Sequence, residues 1–496
     1  MFCRGVAPQS SYLFKHALVQ DAAYGTLLRA RRQELHARVA TVLEELFADL
    51  VERQPELLAH HLTAAGDSER AVDQWLKAGQ HAAARSAHLE AIGHFDRGLS
   101  TLAGLPEGPA RDRREIELQL AKGVSLIITR GFSSAEAAEA QARARDLCEK
   151  TGDADHLFVA IWGLWNFSRT RDLDAARGLS DRLLTLVEKN DDVGLQLEAY
   201  HTGWTTHFFR GEPAPAQAYC EKGRGLYDFE RHRSHAQLYG HDPGVCARTI
   251  GAWSEWLLGR PDTALAGIND ALALAEELTH DFSLAMARVH ASVLHQFRRD
   301  PEMVLQCIGS AEALAAEKRL ALPLDPRIAR GWALLVPDGV AAAVAPFRAA
   351  LADRQKRGTT HYGPYSLTLF AEVLAHSGDH DGALAALADA DAIAEKCGER
   401  WWKAEISRLR GALTLSRGSV GESEAWFAEA IDTARRQQAK SLELRAATSL
   451  ARLWGEQGRR TAAYGLLAPV YGWFTEGFDT ADFKDANTLL YELSQH

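Results

Sequence analysis

The feature that most constrains this sequence is a short polar turn that recurs about every 40 residues. The turns centre on Arg171, Gly211, Gly259, Asp300, Asp338, Gly378, Gly418 and Gly458, at intervals of 40, 48, 41, 38, 40, 40 and 40 residues. Loop spacings in a single globular core vary freely, so a constant period indicates a repeat protein. Apolar residues between the turns follow helical spacing, and each repeat is therefore predicted to be a helical hairpin.

The residues around these turns are typical of helix ends. Gly211 and Gly259 stand where the end of a helix favours a left-handed residue. Pro213 and Pro261 stand near the start of the next helix, where a missing N–H has no cost. We therefore expect an all-α fold, a right-handed superhelix (solenoid) of hairpins with a period near 40.

Composition agrees with a helical chain and excludes several classes of protein. Of 496 residues only 15 are Pro, and the net charge of −10 leaves no overall basic field to attract nucleic acid. The six cysteines are scattered without a CxxC spacing, which is typical of reduced thiols. We see neither a signal peptide nor a membrane span, and expect a cytoplasmic protein.

Two resemblances follow from these residues. The helical pairs resemble tetratricopeptide-type repeats in a long-period form, with aromatic residues in the first helices at Trp165, Trp253, Trp332 and Trp454. The segment YLFKHALVQDAAYGTLLRARRQELHARVATVLEE, followed by QPELLAHHLTAAGDSERAVDQWLKAGQHA, resembles the junction between ATPase and repeats in bacterial class III adenylate/guanylate cyclases that carry an AAA-type signal-transduction ATPase. This second resemblance covers about 100 residues.

The cyclase resemblance implies a division of the chain. Residues 1–50 would be the C-terminal remnant of the winged-helix or helical subdomain of the ATPase, and 51–110 a linker helix and first helical pair. Residues 111–478 would form the repeat array, and 479–496 a C-terminal capping helix. The chain would then be the C-terminal half of such an architecture, with an ATPase or cyclase module supplied in cis or in trans.

The motifs for those catalytic activities do not occur in this sequence. ATP binding needs a GxxxxGK[ST] loop whose backbone N–H groups hold phosphate, and no such string is present. A cyclase needs a strand-rich domain with two metal-binding carboxylates, and no strand-rich region is predicted. We therefore predict no catalytic residues, no cofactor and no metal, so the chain itself is not expected to be an enzyme.

For three groups of side chains, a structural role and a binding role are both conceivable. His232, His235 and His241 lie in an insertion at 230–243, for which we expect a solvated loop rather than a metal site. His60 and His61 are expected in the linker helix. Residues 1–40 are locally basic, and we expect their arginines to pack against a missing ATPase module rather than to bind DNA.

The first helices also concentrate aromatic side chains that share helical faces. We predict that these helices line a concave groove and that six residues anchor a protein or peptide there: Trp165, Arg169, His201, Phe208, Trp253 and Trp256. The alternative is that these side chains pack between repeats, as we expect for Trp332. Lining a groove and packing between repeats both use large aromatic residues.

The favoured function is a non-catalytic interaction and regulatory scaffold, the sensor or docking half of a cyclase- or ATPase-linked signalling protein. The alternatives are a small-molecule-sensing regulatory module of transcription-activator type and a fragment of a full-length adenylate cyclase. If a module once covered the N-terminal end, that end should carry an exposed apolar patch. The residues of the expected patch are Tyr12, Phe14, Leu18, Leu27, Leu28 and Val39.

Overall fold

The computed structural model describes residues 2–4, 11–13, 17–188, 191–335 and 340–495. These residues are almost all helical, apart from two short strands, β1 (Phe2–Arg4) and β2 (Ser11–Leu13), which pair antiparallel with Phe2 opposite Leu13. The predicted all-α fold of repeated helical hairpins is confirmed. In the part of the chain so described, no helix has the length and apolar character needed to cross a bilayer.

The chain divides into two compact units, Met1–Lys122 with Lys150–Gly152 and Gly123–Glu149 with Asp153–His496. The first unit contains α1 (Ala17–Gly25), α2 (Arg29–Leu46), α3 (Ala48–Arg53), α4 (Pro55–Ala65), α5 (Ser68–Ala84) and α6 (His88–Leu102). The boundary falls within α7 (Pro109–Arg130).

The first unit is built on the α5–α6 hairpin and on α2 packed against α4. Small residues allow the close approach: a Cβ atom at Gly79 would overlap the Phe95 ring. His60 and His61 lie in α4, as expected, and His61 Nδ1 is 2.8 Å from His36 Nδ1 of α2. The arginine-rich α2 therefore packs on α4 with a cluster of histidines rather than with apolar residues alone.

The second unit holds the repeat array. Its helices are α8 (Ala135–Thr151), α9 (Ala154–Ser168), α10 (Leu173–Val187), α11 (Val193–Phe209), α12 (Pro213–Leu226), α13 (Phe229–His232), α14 (His235–Tyr239), α15 (Pro243–Leu257), α16 (Pro261–Leu278), α17 (Asp281–Phe297), α18 (Pro301–Lys318), α19 (Pro326–Ala333), α20 (Val340–Arg357), α21 (Gly363–His376), α22 (His380–Cys397), α23 (Lys403–Ser416), α24 (Val420–Arg436), α25 (Lys440–Glu456), α26 (Arg460–Tyr471) and α27 (Ala481–Ser494).

The predicted turns separate the two helices of each hairpin. Gly211 and Gly259 adopt φ of +80° and +88°, the left-handed conformation expected at a helix end. Pro213 and Pro261 are the first residues of α12 and α16. The turn at Asp338 lies at 336–339, outside the described residues.

The insertion at 230–243 differs from the expected solvated loop. It folds into the short helices α13 and α14, and buries His232 and His241 to 3% and 2% exposure. Asp228 caps α13 by accepting from the Arg231 N–H (2.9 Å), and Gly240 ends α14 at φ +88°. The prediction was wrong because contacts with other helices order this polar segment, such as that between His235 Nδ1 and Glu198 Oε1 of α11 at 2.9 Å.

The first helices of the central hairpins are buried on nearly every side. In α15 and α17 the residues facing neighbouring helices are Ala, Gly, Ser and Thr interspersed with large aromatic rings. Small residues let helices approach closely, and a helix that is largely apolar all round lies in a core rather than at a surface. At the C-terminal end, α27 packs on α25 and α26 through Phe483, Ala486 and Leu489.

Candidate functional site

Side chains one repeat apart meet between adjacent first helices. The Trp165 Nε1–H donates to Thr206 Oγ1 at 2.9 Å, and the Asp242 N–H donates to Ser283 Oγ at 2.9 Å. Each of these pairs is separated by 41 residues in sequence. Polar residues at equivalent positions of successive repeats therefore satisfy one another inside the array.

Loops from repeats about 190 residues further along cover the C-terminal ends of these helices. The Thr360 N–H donates to the Thr170 carbonyl, and the Arg400 N–H donates to the Phe209 carbonyl, each at 2.9 Å. A Cβ atom at Gly211 would lie 3.2 Å from the Arg400 backbone, so the loop requires glycine for its space as well as for its positive φ. The inner surface of the array is thus filled by its own later repeats.

All six residues predicted to line the groove are buried, none more than 7% exposed. Phe208, Trp253 and Trp256 join an aromatic cluster with rings from later helices: the Phe208 and Trp401 centroids are 5.2 Å apart, and the Trp256 and Phe297 centroids 4.8 Å. These distances are those of packed aromatic pairs. The three rings therefore lie in the packed interior and do not border an open groove in this structure.

The other three predicted residues, Trp165, Arg169 and His201, line a cavity of about 20 Å³, which we call the inner cavity. Arg169 donates to Asn166 Oδ1 at 2.7 Å and to His361 Nε2 at 3.0 Å, and neither acceptor is a carboxylate. Burial lowers the pKa of Arg169 to about 10, so the guanidinium is charged at neutral pH. A buried cation without a bonded carboxylate is costly, and such groups often mark a site for an anion.

His361 lies between Arg169 and Glu399, and its Nδ1 atom is buried without a hydrogen-bond partner. The His361 Nδ1 atom is 3.9 Å from Glu399 Oε2, and burial together with Arg169 holds the pKa of His361 well below its usual value. Glu399 accepts from the Tyr362 N–H and from Trp401 Nε1–H, each at 3.0 Å. Burial nevertheless raises the pKa of Glu399 to about 7. The Glu399 carboxyl group, which faces Arg169 across His361, is thus only partly ionised at neutral pH.

A larger opening of about 350 Å³, which we call the cleft, shares Phe132, Pro323 and His361 with the inner cavity. Arg130, Arg354 and Arg357 also line the cleft.

The two acidic residues of the cleft, Glu312 and Asp325, are already engaged. Glu312 pairs with Arg330, and Asp325 pairs with Arg327 at 2.7 Å. Arg130 is likewise paired, with Glu136. Because Arg330 and Arg327 compensate the two carboxylates, Arg354 and Arg357 give the cleft a positive potential.

His201, His241 and Cys246 form a further group at the inner cavity. The sequence analysis considered the two histidines separately, in the groove and in the insertion, and did not single out Cys246. The candidate ligand atoms of all three lie within 4.8 Å of one another, and the His201 and His241 Nε2 atoms are 3.1 Å apart. His235 and His232 lie apart from this group: His235 Nδ1 contacts Glu198 Oε1 at 2.9 Å, and the His232 ring lies against that of His235.

His201 and His241 are 40 residues apart, but the repeat that contains the insertion is 48 residues long, so the position equivalent to His201 in the next repeat is Thr249. Residues at equivalent positions of successive first helices become neighbours, as the Trp165–Thr206 pair shows. His241 instead reaches His201 from the insertion, and the period of the sequence carries no signal of their proximity.

The fold and the buried polar site define the class of protein: an all-helical array of repeated hairpins whose first helices enclose charged and polar side chains. No protein-family profile matches the sequence. An uncharacterized protein of Rhizobium meliloti (strain 1021) is 27% identical over 453 residues, which cover 90% of this chain and 44% of the relative. The chain thus spans less than half the length of that relative.

Solved structures with a similar arrangement of helices include three complexes. The Cut9–Hcn1 hetero-tetramer of the APC/C matches with a TM-score of 0.47 and 14% identity, over 93% of this chain and 87% of that chain. The Rap conjugation gene regulator of plasmid pLS20 in complex with the Phr* peptide matches with 0.44 and 12%, over 77% and 97%. NprR with its cognate peptide NprX matches with 0.41 and 13%, over 61% and 83%.

Proposed function

We propose that this chain is a non-catalytic regulatory repeat region of a larger signalling protein, and that it senses a small anionic molecule in the cleft. The observation that carries the proposal is a pair of spaces that share lining residues, with Arg354 and Arg357 in the cleft and Arg169 in the inner cavity. Guanidinium groups bind carboxylates and phosphates with paired hydrogen bonds.

The size of the cleft favours a small molecule over a long peptide. Its volume of about 350 Å³ is at the lower end of the range for small-molecule sites. The aromatic rings that would have anchored an extended peptide are covered by later repeats, as Phe208 is by Trp401. A short peptide that presents a carboxylate fits the same chemistry and remains within this proposal.

A bound anion would act on the array because the cleft joins distant repeats. Arg130 is the last residue of α7, and Phe132 follows it. Arg354 and Arg357 belong to α20, and His361 lies in the loop after α20, more than 200 residues further along the chain. A ligand that contacts both groups stabilises the arrangement in which they are close, by its difference in affinity between arrangements. This coupling is how a small molecule would regulate an attached module.

The larger protein would be of the cyclase or ATPase-linked type that the N-terminal residues resemble, with that module in cis or in trans. The greater length of the Rhizobium meliloti relative supports a multidomain setting. The sequence offers no phosphate-binding GxxxxGK[ST] loop, which supports a regulatory rather than a catalytic role. Under this proposal the purified chain neither hydrolyses ATP nor forms cyclic AMP.

Calorimetric titration tests the sensing role. The full chain would be titrated with a set of dicarboxylates, sugar phosphates and nucleoside monophosphates, and with their uncharged analogues. We expect an anion to bind and the analogue not to bind. Replacing Arg357, which is exposed in the cleft, by Gln should weaken binding about tenfold, since a hydrogen bond to a charged group contributes about 1.5–3 kcal/mol.

Arg348→Gln is the matched control, because Arg348 is exposed on the same helix, α20, but does not line the cleft. Equal weakening in both variants would indicate a general charge effect and would contradict the site. Binding of uncharged analogues as tight as that of the anions would contradict the proposed ligand class.

A second candidate function, docking of a protein partner, is favoured by exposed apolar residues on α2 and just after it. Val42, Leu46 and Phe47 are 43%, 72% and 50% exposed, and Leu28 before α2 is 80% exposed. Val39, Val42 and Leu46 are spaced to share one helical face. Such a face is typical of a surface that a further protein module covers.

A further inference from the structure

Two imidazole rings and a thiol converge at the inner cavity from three separate elements. His201 comes from α11, His241 precedes α15, and Cys246 lies in the first turns of α15. They are 1%, 2% and 4% exposed. The donor atoms of all three fit within 4.8 Å, and the two Nε2 atoms face each other at 3.1 Å.

The backbone holds two of these donors rigidly. Asp242 caps α15 by accepting from the Val245 N–H at 2.8 Å, and its other oxygen accepts from the Tyr227 hydroxyl at 3.1 Å. The cap fixes the start of α15, which His241 directly precedes and to whose first turn Cys246 belongs. Donors placed in this way need little rearrangement to bind an ion.

A carboxylate orients the third donor. Glu198 Oε2 lies 3.0 Å from His201 Nδ1, and Glu198 Oε1 lies 2.9 Å from His235 Nδ1. With its Nδ1 atom engaged, His201 directs Nε2 toward the cavity. A carboxylate behind a histidine in this position is the usual support of a metal ligand.

The hydrogen bonds in the structure leave one nitrogen of this group without a partner. The contact between the rings uses one nitrogen of each, and the His241 Nδ1 atom is buried without a hydrogen-bond partner. Two nitrogens bound to one zinc ion at about 2.0–2.1 Å and a tetrahedral angle would be about 3.3 Å apart, close to the observed separation of the Nε2 atoms. The inner cavity, about 20 Å³, has the volume that one water molecule or ion needs.

We propose that His201, His241 and Cys246 bind a single thiophilic divalent cation, with zinc as the cation of choice. Imidazole nitrogen and thiolate sulphur suit zinc and exclude magnesium and calcium, which take oxygen ligands. Three protein ligands leave a fourth position open toward the cavity.

The charges around this open position select its occupant. The Cys246 thiolate and the Glu198 carboxylate together neutralise a divalent cation. Arg169 in the same cavity wall adds one positive charge, so the fourth position favours an anionic ligand. The metal site rests on the three donors alone and holds whether or not the cleft binds a ligand.

Cobalt(II) is the probe for this site, because a thiolate bound to cobalt gives a charge-transfer band and a tetrahedral site gives strong visible bands. The full chain, freed of metal by a chelator, would be titrated with cobalt and then with zinc. We expect one cobalt per chain with a thiolate charge-transfer band, and loss of the band when zinc is added. The absence of this band from the folded wild-type chain would overturn the proposal.

Variants assign the ligands. Cys246→Ser should abolish the charge-transfer band, and Cys307→Ser, which alters a buried cysteine of α18 outside the group, should keep it. His241→Gln should weaken cobalt binding at least tenfold, and Glu198→Gln about ten- to a hundredfold. Retention of the band in Cys246→Ser would overturn the assignment.

Thermal stability gives a second readout that does not require the variants to bind. Zinc should raise the melting temperature of the wild-type chain and of Cys307→Ser, since an ion that binds the folded state stabilises it. Circular dichroism shows whether each variant folds. If neither ligand variant folds, the cobalt spectrum and the zinc-dependent melting temperature of the wild-type chain decide the proposal.

Discussion

At the scale of single residues, the interior of the array depends on polar side chains that pair at a distance of one repeat. Trp253 Nε1 donates to the His290 carbonyl, and His290 Nδ1 lies 2.9 Å from Thr249 Oγ1. Each partner lies in the neighbouring first helix. Their identities were visible in the sequence, but a buried polar residue and an exposed one share the same helical spacing, so periodicity alone did not separate them.

Glu399→Gln tests the raised pKa of the buried carboxyl group. Because the folded protein holds this proton more tightly than the unfolded chain does, its contribution to stability is complete below the ordinary carboxyl pKa and falls as the pH rises toward 7. Each pKa unit corresponds to about 1.4 kcal/mol. We expect the wild-type melting temperature to fall more steeply between pH 5 and 7 than that of the variant.

Differential scanning calorimetry at several pH values measures this difference. Glu422→Gln, at an exposed position of α24, is the control and should follow the wild type. Parallel curves for the wild type and Glu399→Gln would show that Glu399 titrates alike in the folded and unfolded chains.

Trp253→Ala tests whether the predicted groove residues belong to the core. Trp253 is fully buried among rings, and removing such a side chain costs about 3–5 kcal/mol. Trp332, which we had expected to be packed, is only half-buried and donates to Glu372 at 2.7 Å. Thermal melts should therefore show a larger loss for Trp253→Ala than for Trp332→Ala. The opposite order would show that Trp253 contributes less to the core than the half-buried Trp332 does.

At the scale of helices, local chemistry explains why the turns and hairpins were predictable and the insertion was not. The Gly211 and Gly259 turns with Pro213 and Pro261 directly after them are strong short-range signals, and the structure follows them. The insertion lacks an apolar period of its own. It is ordered by contacts with other helices, such as that between His235 and Glu198 of α11, which no local pattern displays.

A double variant tests the exposed face of α2. Leu46→Ser with Phe47→Ser removes two side chains that are 72% and 50% exposed, so we expect a smaller tendency to self-associate and unchanged helicity. Light scattering coupled to size-exclusion chromatography measures the mass. Leu186→Ser, at an apolar position of α10 that is 43% exposed, is the control.

The same face connects to the expectation of an N-terminal patch. Leu28 and Val39 are exposed, Leu27 is half-buried, and the side chains of Tyr12, Phe14 and Leu18 lie outside the described residues. Deletion of residues 1–50 should improve solubility. Unchanged solubility and oligomeric state after the deletion would remove the physical support for a missing module.

At the scale of the second unit, repeats about 190 residues apart complete the inner surface of the array. In an open solenoid each repeat contacts its neighbours alone, and loss of a distant repeat leaves the others intact. Here the Thr360 N–H donates to the Thr170 carbonyl, and the Arg400 N–H donates to the Phe209 carbonyl. The period of the sequence predicted the hairpins but carried no information on which hairpins would meet, because that depends on small rotations accumulated over several repeats.

A truncated chain tests this dependence. Residues 1–358 alone lose the rings of Trp401 and Trp402, which pack on Phe208 and Phe297. We expect the fragment to bind a hydrophobic dye and to melt earlier than the full chain. Co-expression of residues 359–496 as a separate polypeptide should reverse both effects. A fragment that melts like the full chain would show that the later repeats add no stability to the earlier ones.

The separation of about 190 residues also sets a delay during synthesis. A ribosome that adds about 5–20 residues per second needs about 10–40 s to produce Arg400 after Phe209 has emerged. Throughout that interval the aromatic rings of α11 and α15 have no cover from their later partners. Nascent chains of this protein are therefore expected to depend on chaperones that hold exposed apolar surface, and slower translation before residue 400 should increase that dependence.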